Sequence, residues 1–283
     1  MNTARDIIQR NPALVSLPET AARLNEMVND PLSTAADISA AVVQDAELTE
    51  RLLDIINSPF YDFPARIDSI SMAVTILGVR QLRDLVLAAT VLRRFGRGTS
   101  LPFGIDDFWR HSMCCAVAAR AFARRMRVAN RERYFVAGLL HDIGMIGLYL
   151  TAPEQTHALV QRARQSGDSP VELEQAIAGV AHTELGAEML RHWRLPDSLI
   201  EPVALHHTPQ RAGQYARETA AIHMADAIAS RLQPELLGEH DQRYDPRAWE
   251  LLDLGAEALE EVVEEVERRL DDTLQLLYYD PAA

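Results

Sequence analysis

The sequence contains no lysine, because all 28 of its basic residues are arginine. This absence excludes a phosphate-binding P-loop, a Schiff-base lysine and a lysine general base, since each needs that side chain. Cysteine is almost absent too, with Cys114 and Cys115 as the two in the chain. Adjacent cysteines rarely pair with each other, so we expect a reduced setting without a disulfide framework.

Long apolar runs are missing as well, and with no stretch of about 18 uncharged apolar residues we expect no membrane span. The opening segment "MNTARDIIQRNPAL" lacks the apolar core of a signal peptide. A net charge of −13 argues against a nucleic-acid partner, because such binding depends on neutralising phosphates. With 48% hydrophobic and 24% charged residues, the composition predicts a soluble, cytoplasmic protein.

Helical periodicity dominates what is present, and strand-like alternation is scarce. Apolar side chains recur every three or four residues over 37–57 and 68–93, with Gly78 as a predicted break. The segment "RFGRGTSLPFGID" (94–106) concentrates glycine, proline and serine and is the best candidate boundary. We therefore predict an all-α fold of two packed helical lobes, 1–100 and 101–283, the second ending in an acidic amphipathic helix.

Several histidines and aspartates fall on apolar helix faces. The most apolar stretch, "AGLLHDIGMIGLYL" (137–150), carries His141 and Asp142 within what its composition predicts to be one helix. Helical spacing places further inward-facing polar residues in four other segments: His111, His182, His206, His207 and Asp226.

Two interpretations of these residues remain open from spacing alone. A single histidine on an apolar face is usually a core residue that is hydrogen-bonded to a backbone carbonyl. A whole set in one core would carry a heavy desolvation cost, which a bound metal ion offsets. Imidazole and carboxylate donors favour iron or manganese, with zinc possible, as one or two divalent ions. An aspartate that bridges two ions would suit activation of water and clamping of a phosphoryl oxygen, and Asp142, next to His141, is the candidate.

The order His111, His141-Asp142, Asp226 is similar to the H…HD…D signature of the HD superfamily of metal-dependent phosphohydrolases. The N-terminal part of the HDOD family closely resembles two stretches of this chain, 14–61 and 67–87. Four further segments match the rest of the HDOD pattern in the same order: "FWRHSMCCAVAARAFA", "FVAGLLHDIGMIGL", "AHTELGAEMLRHWRLP" and "LHHTP". The resemblance covers roughly residues 10–235. It implies an N-terminal helical bundle packed on an HD-like helical lobe, in a bacterial signalling setting.

The resemblance also implies a division of the site residues between two ions. By analogy with the related HD-GYP phosphodiesterases, His111, His141, Asp142 and Asp226 would hold one ion. Asp142 would bridge to a second ion held by His182, His206 and His207. Many HDOD proteins have lost such positions, whereas this sequence keeps all seven.

Two departures bear on activity. Met145 stands where the HD-GYP enzymes have a lysine, and the Gly-Tyr-Pro tripeptide is missing after residue 150. We therefore favour a regulatory protein that acts by binding or relay with a signalling partner. The alternative is a metal-dependent phosphohydrolase acting on a nucleotide or other phosphorylated small molecule, with Asp142 as its catalytic residue. Whether the protein is an enzyme, and its oligomeric state, stay open.

Residues around this set have weaker assignments. His223 and Glu184 are candidates to orient Asp226 and His182. Four arginines recur at helical spacing but face away from His111, so we interpret them as a solvated or partner-binding face: Arg120, Arg124, Arg127 and Arg131.

Overall fold

The structure is a computed structural model that describes residues 3–16, 19–30, 32–58, 61, 63–95, 104–166, 169–233 and 244–278. Within these ranges the chain forms α-helices, two short 3-10 helices (Pro12–Val15 and Pro209–Arg211) and no β-strand. The predicted all-α class is confirmed.

The first eight α-helices are α1 (Ala4–Arg10), α2 (Glu19–Asn29), α3 (Ala35–Val43), α4 (Ala46–Asn57), α5 (Ile70–Leu77), α6 (Val79–Phe95), α7 (Ile105–Arg125) and α8 (Glu132–Leu140). The remaining described helices are α9 (Ile143–Thr151), α10 (Pro153–Ser166), α11 (Pro170–Ile177), α12 (His182–His192), α13 (Asp197–Leu205), α14 (Ala216–Leu232), α15 (Pro246–Leu252) and α16 (Glu257–Tyr278).

These helices belong to two compact units. The larger unit comprises Met1–Ser16 and Arg97–Val266, and the smaller unit comprises Leu17–Gly96 and Glu267–Ala283. The N-terminal helix α1 thus groups with the helices that follow residue 97. The predicted boundary between residues 100 and 101 lies outside the described residues, and the division into 1–100 and 101–283 stays a prediction.

Local sequence signals begin and end the helices of the smaller unit. The Asp45 carboxylate accepts the backbone N–H of Leu48 and starts α4, while the Ser69 hydroxyl accepts that of Met72 and starts α5. Gly78 separates α5 from α6 with a φ of 85°, a conformation that side chains other than glycine rarely adopt. The predicted break at Gly78 is confirmed.

The core of the larger unit is built around α7, whose residues from Phe108 to Ala123 are almost all buried. Helices α8 and α14 pack along α7, and α12 packs against α9 and α13. This arrangement brings the middle of α7, the junction of α8 and α9, and the start of α12 close together.

The stretch Glu132–Thr151 differs from its sequence prediction. We expected one helix with His141 and Asp142 within it, but α8 ends at Leu140 and α9 begins at Ile143. The apolar pattern runs through both helices, so periodicity does not reveal the turn between them. The turn places the two polar side chains at a helix junction.

The same stretch is long and apolar enough, by length and composition, to cross a membrane, with a mean hydropathy of 1.3. However, 83% of its most apolar window is buried inside the structure. Because protein surrounds it, we interpret α8 and α9 as core helices of the larger unit.

Candidate metal centre

The fold brings all seven predicted site residues to one place in the larger unit. They lie in the middle of α7, at the α8–α9 turn, at the first position of α12, just after α13 and within α14. Their donor atoms form two groups, and within each group the atoms lie within 4.8 Å of one another. One group holds His111, His141 and Asp226, and the other holds Asp142, His182, His206 and His207.

Asp142 connects the two groups because its two oxygens face different ones. Oδ1 lies 3.2 Å from His182 Nε2 and 3.6 Å from His206 Nε2. Oδ2 lies 3.3 Å from His141 Nε2 and 3.8 Å from His111 Nε2. Asp226 closes the first group, with Oδ1 at 3.1 Å from His111 Nε2 and 3.5 Å from His141 Nε2.

The cluster is enclosed except at one residue. The other six residues are all buried, whereas the His207 side chain is 17% exposed and lies 3.9 Å, through Nδ1, from Asp226 Oδ2. A cavity of about 780 Å³ reaches His207. A small molecule in that cavity would therefore meet the cluster at His207.

Fixed hydrogen bonds orient three of the imidazoles. His141 Nδ1 donates to the Gly138 carbonyl at 2.8 Å, and His206 Nδ1 donates to the Val203 carbonyl at 2.9 Å. His182 Nδ1 instead donates to the Glu174 carboxylate at 2.7 Å. Because Nδ1 carries the proton in each ring, the Nε2 lone pair of each neutral ring faces the cluster.

Within the cluster, the Asp142 and Asp226 carboxylates face imidazole nitrogens, and these charges shift the pKa values of both partners. Burial alone would raise the pKa of Asp142, but His141 and His182 hold it well below its usual range. Burial would likewise lower the pKa of His182, yet Glu174 and Asp142 raise it to about 10. Burial and the neighbouring His207 lower the pKa of His206 to about 3, so His206 is neutral at pH 7.

A divalent ion fits this donor set. Buried His141 Nε2 makes no well-directed hydrogen bond within the described part of the chain, although two carboxylates lie beside it. Without an ion, a proton on Nε2 would have to offset those carboxylate charges, in agreement with a His141 pKa well above the usual value despite burial. An ion would replace the protons and use the same lone pairs.

The residue that supports His182 differs from the one expected. We expected Glu184, but its carboxylate accepts the Ala181 backbone N–H at 3.2 Å and the Gln175 amide at 2.8 Å. Glu174, which the sequence analysis missed, contacts His182 instead. Its position beside Leu173 and one turn from Ile177, on the inward face of α11, is the signal that could have identified it.

His223 also has another role than the expected one. Its Nδ1 donates to the His206 carbonyl at 2.7 Å, and its Nε2 accepts the Asp245 backbone N–H at 2.8 Å. His223 therefore fixes the backbone at His206 and ties it to the start of α15.

The arginines of α7 that face away from His111 differ in their exposure, and two of them pair with buried glutamates. Arg120 pairs with buried Glu132 at 3.2 Å, and Arg124 pairs with buried Glu265 at 2.6 Å. Arg125 reaches the same Glu265 carboxylate at 2.9 Å. These pairs join α7 to α8 and α16. The interpretation as a solvated face is therefore wrong for Arg120, whereas Arg124, Arg127 and Arg131 are exposed.

The described residues thus form helices that enclose a buried histidine–aspartate cluster. The model of the HDOD domain matches residues 14–209. The chain therefore belongs to the HDOD family, and the resemblance that the motifs indicated is confirmed.

A curated protein is similar to most of the chain. An uncharacterised protein of Treponema pallidum (strain Nichols) is 27% identical over 238 residues, which are 82% of this chain and 45% of the relative. The chain thus spans less than half the length of that curated relative.

Solved structures show the same fold. An HDOD domain protein of unknown function from Geobacter sulfurreducens has a TM-score of 0.77 at 22% identity, covering 97% of this chain and 95% of its own. A proposed phosphohydrolase from Shewanella amazonensis SB2B has a TM-score of 0.71 at 24% identity, covering 96% and 97%.

Proposed function

We propose that this chain binds two divalent metal ions and is a metal-dependent phosphohydrolase. The observation that supports this most is the split of the Asp142 carboxylate, with one oxygen toward each donor group. A carboxylate shared between two ions is the arrangement that two-metal hydrolytic sites use. A purely structural site would need one donor group, not two.

The donor set suits iron or manganese, with zinc possible. All seven donors are imidazoles or carboxylates, and neither cysteine belongs to the two groups. Cys115 is fully buried, and burial raises the pKa of its thiol, which keeps it protonated. Mixed imidazole and carboxylate ligation suits iron and manganese, and catalytic zinc sites use the same ligand types.

The protein's own residues would orient the reaction. When bound, the ions would supply an activated water and neutralise charge on a phosphoryl group. Asp142 would act as the catalytic residue because it would supply one carboxylate oxygen to each donor group. The Gly138 and Val203 carbonyls would keep His141 and His206 in one ring orientation throughout.

The cavity at His207 supports an anionic ligand. Three arginines, Arg5, Arg191 and Arg211, line it together with two glutamates. Glu188 pairs with both Arg5 and Arg191, at 3.5 and 3.1 Å, and Arg211 is exposed. Three arginines and two glutamates give this lining a formal net charge of +1 in a chain of net charge −13, and exposed Arg211 is the candidate contact for a phosphorylated small molecule or nucleotide.

A second candidate is a regulatory protein whose metal centre serves binding rather than turnover. Met145 favours it, because this side chain is apolar and buried and supplies no cation for a phosphate. In that case the cavity ligand would be a signal, the protein would be cytoplasmic, and its partner would be a signalling protein rather than nucleic acid or a membrane.

A turnover screen separates the two candidates. The purified chain, reconstituted with Mn²⁺ or Fe²⁺, would be assayed against p-nitrophenyl phosphate, bis-p-nitrophenyl phosphate, nucleotides and cyclic nucleotides. The phosphohydrolase proposal predicts phosphate release that falls at least about 100-fold in Asp142→Asn. Binding of these compounds without turnover, by protein carrying two ions, would overturn it in favour of the regulatory candidate.

A further inference from the structure

Glu174 is a buried carboxylate with an uncommon bonding pattern. A single oxygen, Oε2, accepts both the backbone N–H and the Nδ1–H of His182, each at 2.7 Å, and the residue is 1% exposed. An unpaired charge at such a depth would be costly, so this double contact is what keeps it there.

Backbone hydrogen bonds at the end of α11 also hold Glu174 in place. Its backbone carbonyl accepts the N–H groups of Ala178 and Gly179, which end α11. Gly179 then turns the chain with a φ of 79°, and three residues later α12 begins at His182. The carboxylate is thus fixed by the turn that leads directly to the histidine.

Glu174 makes His182 different from the other oriented histidines. His141 and His206 donate Nδ1–H to neutral backbone carbonyls, whereas His182 donates to a charge. A carboxylate acceptor shifts electron density into the ring and makes Nε2 a stronger donor. The effect reaches the group of Asp142, His182, His206 and His207 and not the other group.

The two donor groups differ in the number of carboxylates that they contain. The group of His111 and His141 has its own carboxylate, Asp226, and also faces one oxygen of Asp142. The group of His182 shares Asp142 and has no carboxylate of its own. Glu174 supplies that group with a negative charge, one imidazole away from the donor atoms.

We propose that Glu174 is a positioning residue that selectively strengthens the second ion site, the one formed by Asp142, His182, His206 and His207. Glu174 touches neither ion nor substrate and acts through the His182 ring. This inference rests on the proposed function to the extent that both ions bind.

The test compares Glu174→Gln with Glu184→Gln in the full chain. The Glu174→Gln substitution keeps the size of the side chain, and the amide oxygen can still accept, but it removes the charge. Glu184→Gln is the matched control, because Glu184 also lies beside the start of α12 but contacts Ala181 and Gln175 rather than His182. Mn²⁺ would be titrated into metal-free protein by calorimetry, with electron paramagnetic resonance to detect the coupled ion pair.

We expect Glu174→Gln to weaken one of the two binding steps by about 10- to 100-fold and to leave the other within about twofold. The coupled signal should then need correspondingly more Mn²⁺, while Glu184→Gln behaves as the wild type. Equal weakening of both steps, or of neither, would overturn the inference. Wild-type protein that binds no Mn²⁺ would instead refute the proposed function itself.

Glu174→Asp guards against misfolding of the first variant. It keeps the charge but shortens the side chain. The Mn²⁺ affinity of the second ion site should therefore lie between the affinities in the wild type and in Glu174→Gln. In Glu174→Gln, the hydrogen-bonded Nδ1 proton of His182 should also move away from its strongly downfield position in the nuclear magnetic resonance spectrum. A selective loss of affinity with that proton unmoved would contradict action through the ring.

Discussion

Substitution of Gly144 by alanine should damage both stability and the metal centre. Gly144 follows Asp142 by two residues, at the start of α9, where α9 crosses the beginning of α12. A Cβ at this position would overlap the His182 carbonyl oxygen and lie 2.7 Å from the Gly186 backbone nitrogen. Both neighbours are backbone atoms, so a change of side-chain rotamer cannot relieve the clash.

The size of the effect follows from this geometry. Ordinary contact needs at least 3.4 Å, so α9 and α12 must separate by more than about 1 Å. Overpacking usually costs about 1–3 kcal/mol, and a contact between two backbones belongs at or above the upper end. We therefore expect Gly144→Ala to lower the free energy of unfolding by about 3 kcal/mol. The same separation would widen the 3.2 Å approach of His182 to Asp142.

Gly147→Ala is the matched control on the same helix. Its Cβ would meet Leu185 Cδ2 at 2.9 Å and Met189 Sδ at 3.1 Å, which are the ends of flexible side chains. Since alanine also favours a helix by about 0.5–1 kcal/mol over glycine, the net effect should be within about 1 kcal/mol. Urea unfolding of metal-free protein in a chelator measures the stability, and metal analysis of separate samples purified without a chelator measures the metal centre. Equal unfolding midpoints and equal metal content in the two variants would refute this reasoning.

Three further predictions concern the site and its surroundings. Arg211→Ala should raise the KM for a phosphorylated substrate several-fold without changing metal content, as measured by steady-state kinetics; an unchanged KM would place the ligand elsewhere. Metal uptake at pH 7 should release protons, because the raised pKa values of His141 and His182 (about 10 for the latter) leave both protonated without metal. Affinity should therefore rise with pH toward about 10, and calorimetry in buffers of different ionisation enthalpy would detect the protons; a buffer-independent heat would contradict it. Glu265→Gln should cost about 1–2 kcal/mol in urea unfolding, because it weakens two arginine contacts of α7, one of them partly exposed; no loss of stability would show that these pairs contribute little.

Helix-face spacing identified the seven polar residues as inward-facing, and the family resemblance assigned them to one site. His111 and Asp226 lie in the interiors of regular helices, where three- and four-residue spacing specifies the buried face directly. The helix starts at Asp45 and Ser69 were equally predictable, because a capping side chain acts on backbone within three residues of itself.

Features that depend on distant contacts were not predictable in this way. The Arg124–Glu265 pair joins residues 141 positions apart, and helical spacing carries no information on such a partner. The turn at His141 and Asp142 is concealed because apolar residues flank it on both sides. Glu174 did have a local signal, its inward position on α11, but only the fold shows that it meets His182 rather than water.

The most direct test of the two-ion centre is the metal content per chain of wild type and Asp142→Ala, purified anaerobically without a chelator or an affinity metal. The account predicts two ions per wild-type chain. In the variant it predicts that both sites lose their ions, since Asp142 faces both donor groups. Folded wild-type protein with one ion or none, or a variant that retains two, would contradict it.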